Sequence, residues 1–247
     1  VKQFTSSILS KYTLSYLFMT SFSPSLSLSE KQQIEFTRQL NHAADMFELT
    51  LSQQQIKQLL QYLHLFIKWN KTYNLSAIRQ PEDMLSKHII DSLSLVALIA
   101  KEVNASEKTQ HYIDVGTGGG LPGIPLAICL PQTQITLLDS AGKKMRFLFT
   151  VKQELGLGNV TIENRRVETF SPPVLFDGVL SRAFASLKDM TDLCEHLLTP
   201  SGQFWAMKGV FPTDELRELE KHYIVVARHN LNVPGVEGER CVVVLKK

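Results

Sequence analysis

Ile113-Asp114-Val115-Gly116-Thr117-Gly118-Gly119-Gly120-Leu121-Pro122-Gly123-Ile124-Pro125 is the stretch on which the reading of this chain turns. It starts as a hydrophobic strand, turns through clustered glycines and re-enters an apolar helical pattern at Leu126-Ala127-Ile128. Glycines set so tightly behind a strand admit positive φ and let a ligand come close to the backbone. Amides at the start of the next helix are expected to face whatever lies above the turn. A nucleotide-like cofactor is the natural occupant, with a tight turn that holds no ligand as the competing reading. Asp114, two places before Gly116, bears on which cofactor it is. A carboxylate so near repels a pyrophosphate but not the ammonium and sulfonium of S-adenosylmethionine. Asp-x-Gly-x-Gly-x-Gly therefore reads as a methyltransferase loop rather than a dehydrogenase loop.

Composition sets the bounds around that stretch. At 247 residues the chain allows one or two domains and a sizeable core. An apolar content of 44% with 20% charged residues describes an ordinary globular protein rather than a disordered one. A formal net charge of +2 is too small to establish nucleic-acid binding, so such a partner has to be argued from local clusters. Cys129, Cys194 and Cys241 show no C-x-x-C spacing, and the histidines show no paired metal-ligand spacing. A cytoplasmic, metal-free protein that does not enter a membrane is the expectation.

Along the chain, Val1 to Ser29 carries a short apolar patch around Leu14–Met19 and then a serine-rich run. Lys11 and the lack of an A-x-A site argue against a signal peptide, and the patch is too short and polar to span a bilayer. Residues 1–29 read as a disordered leader or as translated sequence upstream of the true start. Residues 30–103 read as an N-terminal helical cap. Its second helix opens with Ser52 and Gln55 in capping-box spacing, and its third opens at Pro81 with Glu82 and Asp83 behind it. From 104 to 247 strands alternate with helices, which implies a parallel sheet with helical crossovers. Strands are predicted at His111–Gly116, Gln134–Ser140, Asn159–Asn164, Asp177–Arg182 and Gln203–Lys208. Helices are predicted around Leu126 and over Lys144–Leu155, Leu187–Leu198 and Thr213–His222. Two last strands, Tyr223–Arg228 and Cys241–Leu245, have only loop between them and must pair antiparallel or lie apart. The fold class is α/β: a Rossmann-like class I S-adenosylmethionine-dependent methyltransferase sheet, mostly parallel with an antiparallel C-terminal strand, plus the helical cap.

Ligands of open parallel sheets sit beyond the carboxyl ends of the strands. The first strand ends in Asp114 and the loop, with Gly116 and Gly118 as its cofactor-facing glycines. The second ends at Asp139, a little over twenty residues on, where an acid can accept from both ribose hydroxyls; a helix N-cap is its other reading. Later strands end near Arg166-Val167-Glu168, Ser181-Arg182 and Met207-Lys208. Basic residues at this edge (Lys143, Lys144, Arg146, Arg165, Arg166, Arg182, Lys208), with Lys68, Lys71 and Arg79 from the cap, could converge on one rim and contact phosphates. Trp69 and Tyr73 could stack bases, although Trp69 also suits core packing.

The runs Lys68-Trp69-Asn70-Lys71-Thr72-Tyr73-Asn74-Leu75, His88-Ile89-Ile90-Asp91-Ser92-Leu93, Asp114 to Pro125 and Leu137-Leu138-Asp139-Ser140 stand in one order with Lys143–Leu148, Arg166-Val167-Glu168, Ser181–Leu187 and Lys208-Gly209. In that combination, from about residue 36 onward, the chain resembles the RsmG/GidB family of bacterial small-subunit rRNA guanine-N7 methyltransferases. The resemblance implies S-adenosylmethionine as cofactor. It implies 16S rRNA, free or in the small ribosomal subunit, as partner, with methylation of the decoding-region guanine numbered 527 in standard rRNA numbering. Carried onto matching positions, it implies cofactor contacts at Gly116, Leu121, Val167, Glu168 and Arg182; Asp114, Gly118 and Asp139 come from spacing and charge. Gly119 departs from the Pro or Ala frequent in relatives, and the first thirty or so residues have no counterpart.

Guanine N7 has an in-plane lone pair and no proton, so no general base is needed before methyl transfer, and alignment of the reacting atoms carries the catalysis. Arg182 is the candidate to lie between cofactor and RNA, with an ion pair to an acid such as Glu168 as its structural alternative. His88 and Asp91, one helical turn apart, read as supporting or packing residues. A monomer is expected. Competing functions are a class I methyltransferase with another substrate, an NAD-dependent oxidoreductase, and a non-catalytic RNA-binding ribosome-assembly factor.

Overall fold

Two of the helix starts in the N-terminal third rest on serine caps, as shown by a computed structural model describing residues 28–247, apart from 183 and 185. Helix α1 (Glu30–Met46) begins behind Ser29, whose hydroxyl accepts from the Gln32 amide while Gln32 bonds back to the Ser29 amide. Helix α2 (Gln53–Tyr73) repeats the device with Ser52 and Gln55, as its spacing predicts, and stops where Asn74 turns left-handed at φ 51°. The third helix, α3, starts on Pro81 and runs in three segments: Pro81–Met84, a π-helical stretch Leu85–Ile90, and Asp91–Asn104. The wide π turn was not legible in the sequence. Of the expected leader, residues 1–27 lie outside the described residues; Leu28 is buried and Ser29 belongs to the cap of α1.

Seven strands form one sheet in the order β3-β2-β1-β4-β5-β7-β6. They are β1 (His111–Val115), β2 (Gln134–Leu138), β3 (Val160–Glu163), β4 (Phe176–Ser181), β5 (Leu198–Lys208), β6 (Ile224–Asn230) and β7 (Cys241–Lys246). Strands β1 to β5 pair parallel, and β7 lies antiparallel between β5 and β6. The crossovers are α4 (Gly123–Cys129), α5 (Gly142–Leu155), α6 (Leu187–Cys194) and, before β6, α7 (Thr213–Leu219). This is the mostly parallel class I sheet that the strand pattern predicts.

Alternation along each strand divides the core. Tyr112, Leu137 and Trp205 face one cluster, which also takes Phe36, Leu63 and Leu93 from α1, α2 and α3. Ile113, Val115 and Leu138 face the other, against Leu187 and Met190 of α6 and Leu216 of α7. The N-terminal helices thus share their core with one face of the sheet.

Two helices end earlier than the sequence reading has them. Helix α6 stops at Cys194 and yields to a short 3₁₀ turn, Glu195–Leu197, so Leu198 opens β5 instead of closing a helix. Phe176 pairs with Leu198 but Gly178 pairs with Gln203, an irregularity spanning Pro200, which has no amide to give to a ladder. Helix α7 ends at Leu219 rather than His222.

Candidate active site

The turn after β1 is built from glycines at positive φ: Gly116 at 69°, Gly118 at 59° and Gly120 at 92°. Asp114 lies beneath the turn with 0% exposure. Its Oδ2 accepts from Thr117 Oγ1 at 2.7 Å and from the Gly123 amide at 2.8 Å, tying both ends of the turn together. Burial pushes the Asp114 carboxyl up to about 6, against the lowering effect of those two bonds and of Arg182. The amides expected to face a ligand are spent inside the protein. Gly116 and Thr117 donate to Leu138 O, Gly118 to Asp139, Gly120 and Leu121 to Thr117 O, and Ile124 to Gly120 O. A pyrophosphate would find few donors here, whereas the crest at Gly116 is exposed.

Asp139 leaves β2 level with that crest. Its carboxylate accepts from the Gly118 and Ala141 amides, both at 2.9 Å, and lies 3.3 Å from Lys144 Nζ. It does not cap α5, whose N-cap is Ala141; it braces the loop from the β2 side. A carboxylate has about four lone-pair sites, so capacity remains for a ribose hydroxyl. Past β3, Val167 and Glu168 form a 3₁₀ turn in which Val167 is half-buried against the second core cluster and Glu168 is exposed. Leu121 packs instead into the first cluster.

Arg182 follows the last residue of β4. Asp114 pairs with Leu180 in the β1–β4 register, which sets Arg182 level with Gly116. Its guanidinium does not pair with Glu168: Nη1 lies 3.2 Å from Asp91 Oδ2, and Nη2 donates to Lys87 O at 3.3 Å. Asp91 and Lys87 both belong to α3, which sequence proximity to Arg182 could not reveal. His88 beside them bonds through Nε2 to Ser76 Oγ at 2.8 Å, and burial, helped by Arg182, holds its imidazole down at about 4, so it is neutral. Ala183 and Ala185 lie outside the described residues.

A family model described as rRNA small subunit methyltransferase G matches residues 55–243. The chain belongs to that family. Ribosomal RNA small subunit methyltransferase G of Saccharophagus degradans is 60% identical over 215 residues, covering 87% of this chain and 93% of its own. Its counterpart in Cellvibrio japonicus is 52% identical over 209 residues, 85% and 94% of the two chains. Among solved structures, a 1,6-didemethyltoxoflavin-N1-methyltransferase from Burkholderia thailandensis superposes with a TM-score of 0.51 at 17% identity, over 64% of this chain and 78% of its own, which shows the shared fold.

In this rRNA methyltransferase the basic residues of the rim fall into two groups. Arg165 pairs with Glu163, Lys144 with Asp139, Arg182 with Asp91 and Lys208 with Glu215. Lys68, Lys71, Lys143 and Arg146 join no ion pair among the described residues, and neither do Arg166 and Arg79, the latter donating instead to Asn70 O and Asn74 Oδ1. Helices α2 and α5 pack antiparallel, with Gln58 and Gln61 bonded to the Leu155 and Glu154 carbonyls and Trp69 against Phe147 at 5.7 Å. That packing brings Lys68 and Lys71 of α2 and Lys143 and Arg146 of α5 to one corner beside the loop. Trp69 is half-buried and stacked on Tyr73 at 4.9 Å, leaving Tyr73 and, on the outer face of α5, Phe149 exposed.

The sequence reading missed Tyr62, Phe66 and Arg240. Tyr62 Oη donates to Gly119 O at 2.6 Å, and a Cβ at Gly119 would come within 2.3 Å of the Phe66 ring. The departure at Gly119 was visible; its partner, more than fifty residues earlier, was not. No described group of three or more His, Cys, Asp or Glu could hold a metal, and no described helix is long and apolar enough to cross a membrane.

Proposed function

We propose that this protein transfers the methyl group of S-adenosylmethionine to N7 of a guanine in 16S rRNA. Its cofactor is S-adenosylmethionine, in keeping with the family and the fold, and the loop suits it. The turn offers few free amides to a pyrophosphate, and a buried carboxylate lies under it. Gly116 leaves the crest open, Asp139 retains acceptor capacity for a ribose, and Arg182 Nη1 completes no hydrogen bond of its own. When bound, the cofactor supplies an electrophilic methyl carbon.

The observation that carries the choice of N7 is the state of the buried groups around the loop. Asp114 is sealed under the turn, Asp139 is held by two amides and Lys144, Asp91 is ion-paired, and His88 is bonded to Ser76. None is poised as a general base, so the nucleophile that fits is one with a free lone pair and no proton to lose. Purine N7 meets that requirement. The chain's own contribution is positional: Asp139 and the turn hold the donor, Arg182 stands beside it, and the Lys68–Lys143–Arg146 corner receives phosphates. Incubating the protein and cofactor with small subunits from a strain that lacks the enzyme, then cleaving the rRNA chemically at N7-methylguanine, tests the reading. One cofactor-dependent cleavage site in 16S rRNA is expected; methylation of a different atom, or of 23S rRNA instead, overturns it.

A further inference from the structure

Asp91 is 3% exposed and faces two arginines from distant parts of the chain. Arg182 Nη1, from the end of β4, is 3.2 Å from one oxygen, and Arg240 Nε, just before β7, is 3.4 Å from the other. Neither Asp91 Oδ1 nor Arg182 Nη1 completes a hydrogen bond. The three groups therefore meet as charges rather than as a bidentate clamp. One carboxylate thus serves two guanidiniums directly, and Arg182 stands beside the glycine loop, level with Gly116. The neighbouring Asp139–Lys144 pair cancels. Asp114, sealed below, has its carboxyl pushed up by burial to about 6, so at neutral pH it is still ionised and supplies the second negative charge facing the two guanidiniums.

The methyl donor and its product differ by one charge: a sulfonium in S-adenosylmethionine, a neutral thioether in S-adenosylhomocysteine. A change of one charge near the site acts on that difference whatever pose the ligand takes. We infer that Asp91 is a charge-balancing residue which, by offsetting Arg182 and Arg240, sets the preference of this site for the cationic donor over the neutral product. That preference helps a spent cofactor to exchange for a fresh one. The inference rests on the reading that Arg182 borders the cofactor. A unit charge acting over about 10 Å alters a binding constant about fourfold at an effective dielectric constant of about 40, and about fifteenfold at about 20.

Calorimetric dissociation constants for S-adenosylmethionine and S-adenosylhomocysteine, measured on the whole wild-type protein, D91N and R240Q, test this. D91N is expected to raise the ratio of donor Kd to product Kd by about four- to fifteenfold. R240Q, which leaves Arg182 and Asp91 matched one to one, is expected to lower it. A merely structural role would weaken both ligands alike, so an unchanged ratio in D91N overturns the inference. If D91N does not fold, R240Q decides by the same ratio. A wild-type protein that binds neither ligand removes the cofactor reading beneath the inference, whereas one that binds both with a ratio indifferent to these variants removes the inference alone.

Discussion

Gly119 owes its identity to a ring on another helix. Phe66 occupies the space where its Cβ would stand, and Tyr62, one turn earlier on α2, donates to its carbonyl. Adding a methyl group to so tight a contact forces a backbone or ring shift worth about 1–3 kcal/mol. Gly119→Ala is therefore expected to lower the denaturation midpoint, and Phe66→Leu in the same chain to recover part of the loss; additive losses would show that the two sites are not coupled. His88 gives a second test. Its folded pKa of about 4 lies below the ordinary 6.5, so its contribution is present above pH 6.5 and is lost as pH falls towards 4. Relative to His88→Gln, the wild type is expected to lose about 3 kcal/mol between pH 7 and 4. Asp114 acts with the opposite sign: its raised pKa contributes stability below its ordinary 3.8, lost as pH rises through about 6. The comparison with His88→Gln isolates the histidine, because Asp114 is common to both proteins.

Helix α5 divides apolar and basic side chains between two faces. Phe147, Leu148 and Val151 enter the core, while Lys143, Arg146 and Phe149 look outward. On the RNA reading, Lys143→Gln or Arg146→Gln is expected to raise the KM for rRNA with kcat unchanged and to flatten the slope of log K against log salt by about 0.7 each. Phe149→Ser is expected to weaken binding of an unpaired RNA oligonucleotide by about 1–3 kcal/mol and leave that slope alone. Equal effects of all three variants on slope would show that Phe149 does not stack. Periodicity made α5 legible, and the Ser52–Gln55 pair made the start of α2 so, whereas the matching Ser29–Gln32 pair at α1 is a finding of the structure. The early end of α6 was not legible, because Leu197-Leu198 extends an apolar helical pattern while the pairing of Leu198 with Phe176 is a tertiary event.

At the scale of the whole molecule, one hydrophobic cluster runs from Phe36 and Leu63 through Tyr112 and Leu137 to Trp205. Without the first three helices that cluster loses the side chains packed over α4 and α5, and its remaining apolar surface is laid open. A fragment of residues 104–247 is therefore expected to bind a hydrophobic dye and to melt without a cooperative transition; a sharp calorimetric peak for the fragment would show that the sheet folds alone. The same packing explains why the site draws on elements far apart: α2 props the loop, α3 supplies Asp91, and the segment before β7 supplies Arg240.

The sequence by itself determined the alternation of strands and helices, the antiparallel end of the sheet, the turn at Gly116 and the acids at the ends of β1 and β2, because each is a local matter of periodicity, φ and spacing. Tertiary structure alone decided that Asp114 and Asp139 grip the loop from below and beside it, and that Arg182 answers to Asp91 rather than Glu168. It also decided which lysines and arginines of the rim are already neutralised. Those outcomes depend on which charges and rings meet across the core, and a carboxylate buried next to a guanidinium obeys distance in space, not separation along the chain.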